Sequence, residues 1–279
     1  MDFDSFFKLQ KNYPRTVGND FMMPGDLKQR FSSGLITVSA DENALLIFEQ
    51  RHGFTKLHFR LINKSAALPP LKICKSTDES INEACAPSSP IPYPLSPTPS
   101  RLKTANDGKL AAFLTYREDR YQDIAADWLL RQGFAKTKTV RRHTAAAINC
   151  DLPLDDVVNA TADEAYAMFG EYFSAVEADM PRPELFEGAI CVRSKDGKPI
   201  GALYMGQTLI VAVSPEARGK GVGRKLYKAY AGIRAREGKK PTFHEWISPD
   251  NAASLAMFKK LGFTPDKVMT ETYVLEFKL

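Results

Sequence analysis

The stretch Leu209-Ile210-Val211-Ala212-Val213-Ser214-Pro215-Glu216-Ala217-Arg218-Gly219-Lys220-Gly221-Val222-Gly223-Arg224-Lys225-Leu226 decides how the rest of the 279-residue chain is read. Its β-branched first part predicts a strand that Pro215 stops, and three glycines then let a loop backbone turn with its amides inward. Lys225-Leu226-Tyr227-Lys228-Ala229-Tyr230-Ala231 continues it as a helix. The unpaired N–H groups and the positive dipole end at that helix's start face the loop, which makes a site for a phosphate-bearing ligand. Two familiar phosphate templates fail here. Gly219, Gly221 and Gly223 are spaced G-x-G-x-G rather than G-x-G-x-x-G, and Gly223-Arg224-Lys225 lacks the Gly-Lys-Ser/Thr of a P-loop.

A second stretch lies downstream. Phe243-His244-Glu245-Trp246-Ile247 reads as another strand, followed by a turn in which Asp250 or Asn251 is suited to cap a helix. Leu255, Phe258 and Leu261 form the apolar face of that helix, and Gly262 suits its C-terminal end.

Arg218-x-x-Gly221-x-Gly223, preceded by Val213-x-Pro215-Glu216, resembles the acetyl-CoA loop of the GCN5-related N-acetyltransferases (GNAT). Asn251-x-x-Ser254, the aromatic Phe258 and the closing Gly262-Phe263 resemble the second hallmark of that family. The resemblance covers roughly residues 146–279. It implies an α/β (α+β) fold, with a mixed, mostly antiparallel sheet flanked by helices.

Elsewhere the composition is that of a soluble globular protein, 44% hydrophobic and 25% charged, with a net charge of only +5. Acidic and basic residues are interspersed, so no nucleic-acid-binding tail is expected. Cys74, Cys85, Cys150 and Cys191 are scattered without a C-x-x-C pair or neighbouring histidines, which argues against both a zinc site and a disulfide scaffold. Met-Asp-Phe-Asp at the start has no basic flank, and no apolar run is long enough to span a bilayer. A cytoplasmic protein without a membrane partner is the expectation.

Residues 26–31 are compatible with a short helix and residues 35–38 with a strand. Residues 44–50 and 54–62 predict a β-hairpin turning at Arg51-His52-Gly53. Leu57, Phe59 and Leu61 alternate there with Lys56, His58 and Arg60, which predicts one buried and one solvated face, His58 lying on the latter. The proline-rich stretch 86–100 is extended or irregular, a domain linker or a long loop within the first domain. A strand at 110–117 and a helix at 124–132 follow, with Trp128 on the face of Ile124.

That helix ends Gly133-Phe134, as the later one ends Gly262-Phe263, and the hairpin around Gly53 echoes Ile190–Arg193, a turn at Gly197, and 200–204. The chain thus reads as two related halves. Residues 1–145 form a degenerate GNAT-like or unrelated accessory α+β domain, and residues 146–279 the acetyl-CoA-binding domain. Between Ile62 and Leu110 the first half has no Arg-x-x-Gly-x-Gly. In the second half Thr161 and Glu164 predict a capping box, and a final hairpin is expected from 268–272 and 273–279.

The resemblance also assigns roles. Backbone groups of Val211, Ala212 and Val213 contact the pantetheine arm. Amides from Gly219, Lys220, Gly221, Val222, Gly223 and Arg224 hold the diphosphate, with charge from Arg218 and Lys220. Asn251 and Phe258 contact the cofactor. The implied reaction is direct transfer of an acetyl group to a primary amine of a small molecule or a peptide. Many members have a tyrosine at the Phe258 position, which protonates the departing thiolate. One branch has a basic glutamate where Trp246 stands, and another has one near Gln207. Neither group carries over, which leaves His244, Glu245 and Tyr204 as candidate proton-transfer groups, or a water alone. Trp246 is a candidate substrate-stacking residue. The departures keep a second reading open, a module that binds acyl-CoA without turnover.

Overall fold

The computed structural model describes residues 4–5, 28, 31–40, 44–50, 55–61, 109–120, 123–149, 156–176, 186–205, 209–238 and 243–276. The proline-rich stretch, Gln207, the hairpin turn at Gly53, Cys74, Cys85, Cys150 and most of the expected helix at 26–31 lie outside them. In chain order the elements are β1 (Ile36–Ala40), β2 (Ala44–Gln50), β3 (Thr55–Leu61), β4 (Lys109–Arg117), α1 (Asp123–Arg131) and β5 (Ala135–Ala145). They continue with β6 (Val157–Asn159), α2 (Ala162–Val176), β7 (Ile190–Arg193), β8 (Pro199–Met205) and β9 (Leu209–Val213). Then come α3 (Val222–Arg236), β10 (Phe243–Ile247), α4 (Ala252–Lys260) and β11 (Thr264–Glu276). No helix among the described residues is long and apolar enough to cross a membrane.

Two compact units result, one of residues 1–138 with 270–279, the other of residues 139–269. In the first, the strands run in the order β1-β2-β3-β4-β11-β5. The predicted hairpin is present as the antiparallel pair β2/β3, whereas β3 and β4 run parallel and pair only from Thr55↔Leu110 to Leu57↔Ala112. Leu57, Phe59 and Leu61 pack with Leu114, Trp128 and Leu129 of this unit's core, the Phe59 and Trp128 rings 4.8 Å apart. The opposite face of β3 does not meet solvent as the alternation predicts. His58 and Arg60 are buried, and His58 Nε2 lies 3.0 Å from the equally buried Glu49 Oε2. Alternation distinguishes two faces of a strand; it does not say that the polar one is wet.

The expected final hairpin is instead one continuous strand, β11. Thr272-Tyr273 offers no turn residue, and the β-branched and aromatic run simply continues. Its halves serve different units: Lys136 pairs with Glu271 (3.1 Å) in the first, Arg142 with Asp266 (2.6 Å) in the second.

The helix endings match in detail. Gly133 and Gly262 have φ of 87° and 86°. Phe134 N–H donates to Leu129 O (3.1 Å) and Phe263 N–H to Phe258 O (3.0 Å). Each is the 6→1 bond of a left-handed helix stop, and each delivers the chain into a long strand.

The second unit holds the antiparallel sheet β6-β7-β8-β9 and the strands β11-β5-β10. Helix α2 covers one face of the four-stranded sheet, packing Ala165 and Phe169 near Cys191, Ala202, Tyr204, Ile210 and Ala212. Helix α3 covers the other, where Leu203, Val211 and Val213 meet Leu226 and Tyr227. Packing there is close enough that a Cβ on Gly201 would lie 2.5 Å from Val222 Cγ1.

The capping box at the start of α2 forms as expected: Thr161 N–H donates to Glu164 Oε2 (2.9 Å), and Glu164 N–H to Thr161 Oγ1 (3.2 Å). Arg193 grips both oxygens of Glu164 at 2.8 and 3.0 Å. Its hydrogen bonds, with that of Thr161, lower the Glu164 carboxyl from 4.5 to about 2. A lowered acid contributes stability above its unfolded value and loses it as pH falls through the folded one. Arg193→Ala is therefore expected to be less stable than wild type above pH 4.5, with the gap closing towards pH 2. Denaturant unfolding across that range checks it; a gap that stays constant with pH refutes it.

Candidate active site

After β9, Pro215–Ala217 make a single 3-10 turn, and the loop backbone then reverses at Gly219 and Gly221, with φ of 76° and 83°. Lys220 N–H donates to Ala217 O (3.4 Å) and Arg218 N–H to Pro215 O (3.3 Å) within the loop. Arg218 Nε reaches back to Val213 O (3.2 Å), tying the loop to the end of the strand. Gly221 caps α3 without any side-chain acceptor. Among the described residues, no acceptor pairs with the amides of Gly219, Gly221, Val222, Gly223 and Arg224. These unpaired donors lie at and just before one helix start, the kind of place where anions bind. A Cβ on Gly223 would come 2.8 Å from Met257 Sδ of α4, so this position keeps α3 and α4 close. The residues present therefore fit the diphosphate of a coenzyme.

β9 and β10 are each the terminal strand of a separate sheet, and they do not pair with each other. The free edge of β9 offers backbone donors and acceptors to an extended ligand, as an added strand would use them. All five residues of β9 are half-buried.

β10 divides its side chains between two environments. Phe243 and Ile247 join the core under α3, and Glu245 points to the same side, where Tyr227 Oη donates to its Oε1 at 2.6 Å. Burial raises the Glu245 carboxyl from 4.5 to about 7, against the opposing effect of the Tyr227 hydrogen bond. On β5, His143 stands opposite Glu245 and is itself buried, its Nδ1–H donating to Arg141 O at 3.1 Å. His244 and Trp246 lie on the other face, the side that α2 occupies on the neighbouring sheet, and both are exposed. Tyr204 shares that side, with its ring 5.0 Å from Phe186. The structure thus separates the three candidate proton-transfer residues, with Glu245 beneath α3 and His244 and Tyr204 on the α2 side.

Asn251 caps α4, its Oδ1 accepting from Ser254 N–H at 3.0 Å. Phe258 is buried, edge-on to Tyr227 (5.0 Å) and to Phe263 (4.9 Å). The phenol that the sequence reading did not single out is Tyr227. Its apolar spacing within α3 announces an inward ring, but nothing in the sequence says that its hydroxyl meets Glu245.

Residues 154–263 match the acetyltransferase (GNAT) family, and they are a GNAT domain. Mycothiol acetyltransferases are similar over short stretches: that of Nocardiopsis dassonvillei is 38% identical over 24% of this chain and 19% of its own length. That of Amycolatopsis mediterranei is 35% identical over 39% of this chain and 35% of its own. The chain thus spans about a fifth and about a third of these relatives. A Drosophila protein of known structure shares the fold at 16% identity, with TM-score 0.51 over 83% of this chain and 74% of that one.

Proposed function

We propose that the chain is an acetyl-CoA-dependent N-acetyltransferase acting on a primary amine. The observation that carries this reading is the set of unpartnered amides at 219 and 221–224, beside the unpaired edge of β9. Those amides hold the diphosphate, Lys220 adds charge, and the outward-facing backbone groups of Val211 and Val213 pair with the pantetheine arm, those of Ala212 being turned to Ala202 of β8. When bound, acetyl-CoA supplies an activated acetyl group. A backbone N–H of β9 stabilises negative charge developing on the acyl oxygen. The acceptor approaches from the α2 side, where His244 takes the proton from the ammonium, directly or through one water, so that a neutral amine attacks. Asn251 and Phe258 line the cofactor's side of the site, Phe258 as an apolar wall.

The first unit, by this reading, is a GNAT-like domain without a cofactor loop, its descent marked by the matching helix stops at Gly133-Phe134 and Gly262-Phe263. The test is CoA release from acetyl-CoA over a panel of primary amines, with His244→Gln alongside. Amine-dependent release that drops roughly a hundredfold or more in the variant supports the assignment of His244. Phe258, which has no hydroxyl to protonate a thiolate, favours one rival reading: a module that holds acyl-CoA without turnover. Tight acetyl-CoA binding with no release on any amine decides for that rival.

A further inference from the structure

The face of β10 that carries His244 and Trp246 continues onto β5. In the antiparallel register Trp246 stands opposite Arg142, and His244 opposite Thr144, so all four side chains rise from the same face. The Trp246 indole is 37% exposed, one of few large apolar side chains so placed among the described residues. The Arg142 side chain is 38% exposed. Asp266 fixes one end of this guanidinium. Its Oδ2 accepts from Arg142 Nε at 2.6 Å, while its Oδ1 accepts from Val268 N–H at 2.6 Å. Both oxygens of Asp266 are therefore engaged, and among the described residues the two Nη groups of Arg142 meet no acceptor. An arginine held by its Nε and open at its Nη edge offers the donors that a carboxylate accepts.

Strand order sets the distance. Starting from the open edge of β10, an acceptor crosses Trp246 before it reaches Arg142 one strand further in, a step of about 4.8 Å. An α-amino acid, with its two charged groups on one carbon, is too short to span this. A flat ring between amine and carboxylate fills the interval and covers the indole.

We infer that Arg142, held by Asp266, and Trp246 form an acceptor subsite for a primary amine that carries a carboxylate at the far end of a ring. The inference rests on the acetyltransferase reading above. Arg142 and Trp246 touch the acceptor, and Asp266 is a positioning residue.

The probes are 4-(aminomethyl)benzoate and its uncharged counterpart 4-methylbenzylamine, used with the full chain. Two readouts are taken: acetyl-CoA turnover, and quenching of tryptophan fluorescence with CoA present, to which exposed Trp246 responds while Trp128 is buried. The expected result is that the acid has a KM and Kd at least tenfold lower than the amine lacking it. Arg142→Gln abolishes that preference, raising KM and Kd for the acid about tenfold more than for 4-methylbenzylamine. Arg142→Lys retains the charge without the fork and falls between. Asp266→Asn weakens the preference without removing it, and an unchanged acetyl-CoA Kd certifies that each variant is folded. Equal handling of the two amines by wild type, or equal losses for both in Arg142→Gln, overturns the subsite. Quenching that prefers the acid with no turnover of any amine supports the subsite while refuting the acetyltransferase reading.

Discussion

Gly221→Val is expected to bind acetyl-CoA at least a hundredfold more weakly than wild type. Gly221 caps α3 at φ 83°, and a β-branched residue held in that left-handed region costs roughly 1–3 kcal/mol. The chain escapes the cost by rotating the peptide units on either side, which carry the amides of Gly221 and Val222. Each hydrogen bond from such an amide to a charged phosphate oxygen contributes roughly 1.5–3 kcal/mol. Losing two gives about 3 kcal/mol or more, which is the hundredfold. Gly197→Val is the control. It has φ 78° with nothing within 4 Å of the added Cβ, but it sits in the β7/β8 turn, so it carries comparable strain and leaves affinity alone. Acetyl-pantetheine, which lacks the diphosphate, should bind both variants as it binds wild type. Calorimetric titration of wild type and both variants with each of the two ligands measures this. Undiminished affinity in a folded Gly221→Val protein would remove the cradle from the site.

The course of the loop after β9 was legible in the sequence because glycine and proline constrain the backbone locally. Pro215, Gly219 and Gly221 fix the loop whatever surrounds it, and the structure places each turn where these residues require one. The stops at Gly133 and Gly262 were legible for the same reason, as were the Thr161-Glu164 box and the Asn251 cap, whose bonds span three residues. What the sequence concealed depends on partners far along the chain. The burial of His58 and Arg60 is decided by whatever covers that face of β3, which no local pattern reports. The division of β11 between two units is decided by tertiary pairing, since Thr264–Glu276 has the same strand character throughout. Arg142 has an ordinary surface-pair sequence context, and only the register opposite Trp246 gives it a place beside the candidate site.

Tyr227 shows the same limit at the level of one hydroxyl, and its substitutions carry the second large effect. Tyr227→Ala should destabilise the protein by about 3–5 kcal/mol, because the ring is fully buried against Phe258 and Phe263 and its removal leaves a cavity. Tyr227→Phe keeps the ring and removes the donor to Glu245, at a cost of about 1–3 kcal/mol. The dependence on pH separates the two contributions. Glu245 binds its proton up to about pH 7 in the folded state but only to about 4.5 in the unfolded chain. Its contribution is therefore fully present below pH 4.5 and lost as pH rises towards 7, after which it is flat. The groups that face this carboxyl are Tyr227 from α3 and His143 from β5, with Arg141 further along the same strand and turned to Met269. Removing the Tyr227 hydroxyl removes an interaction that lowers the Glu245 value, so in Tyr227→Phe the decline should extend to higher pH. Glu245→Gln, with nothing to titrate, should abolish the decline. Urea unfolding of the three proteins between pH 4 and 9 measures this, and a wild-type profile unchanged by Glu245→Gln would show that the carboxyl ionises normally despite its burial.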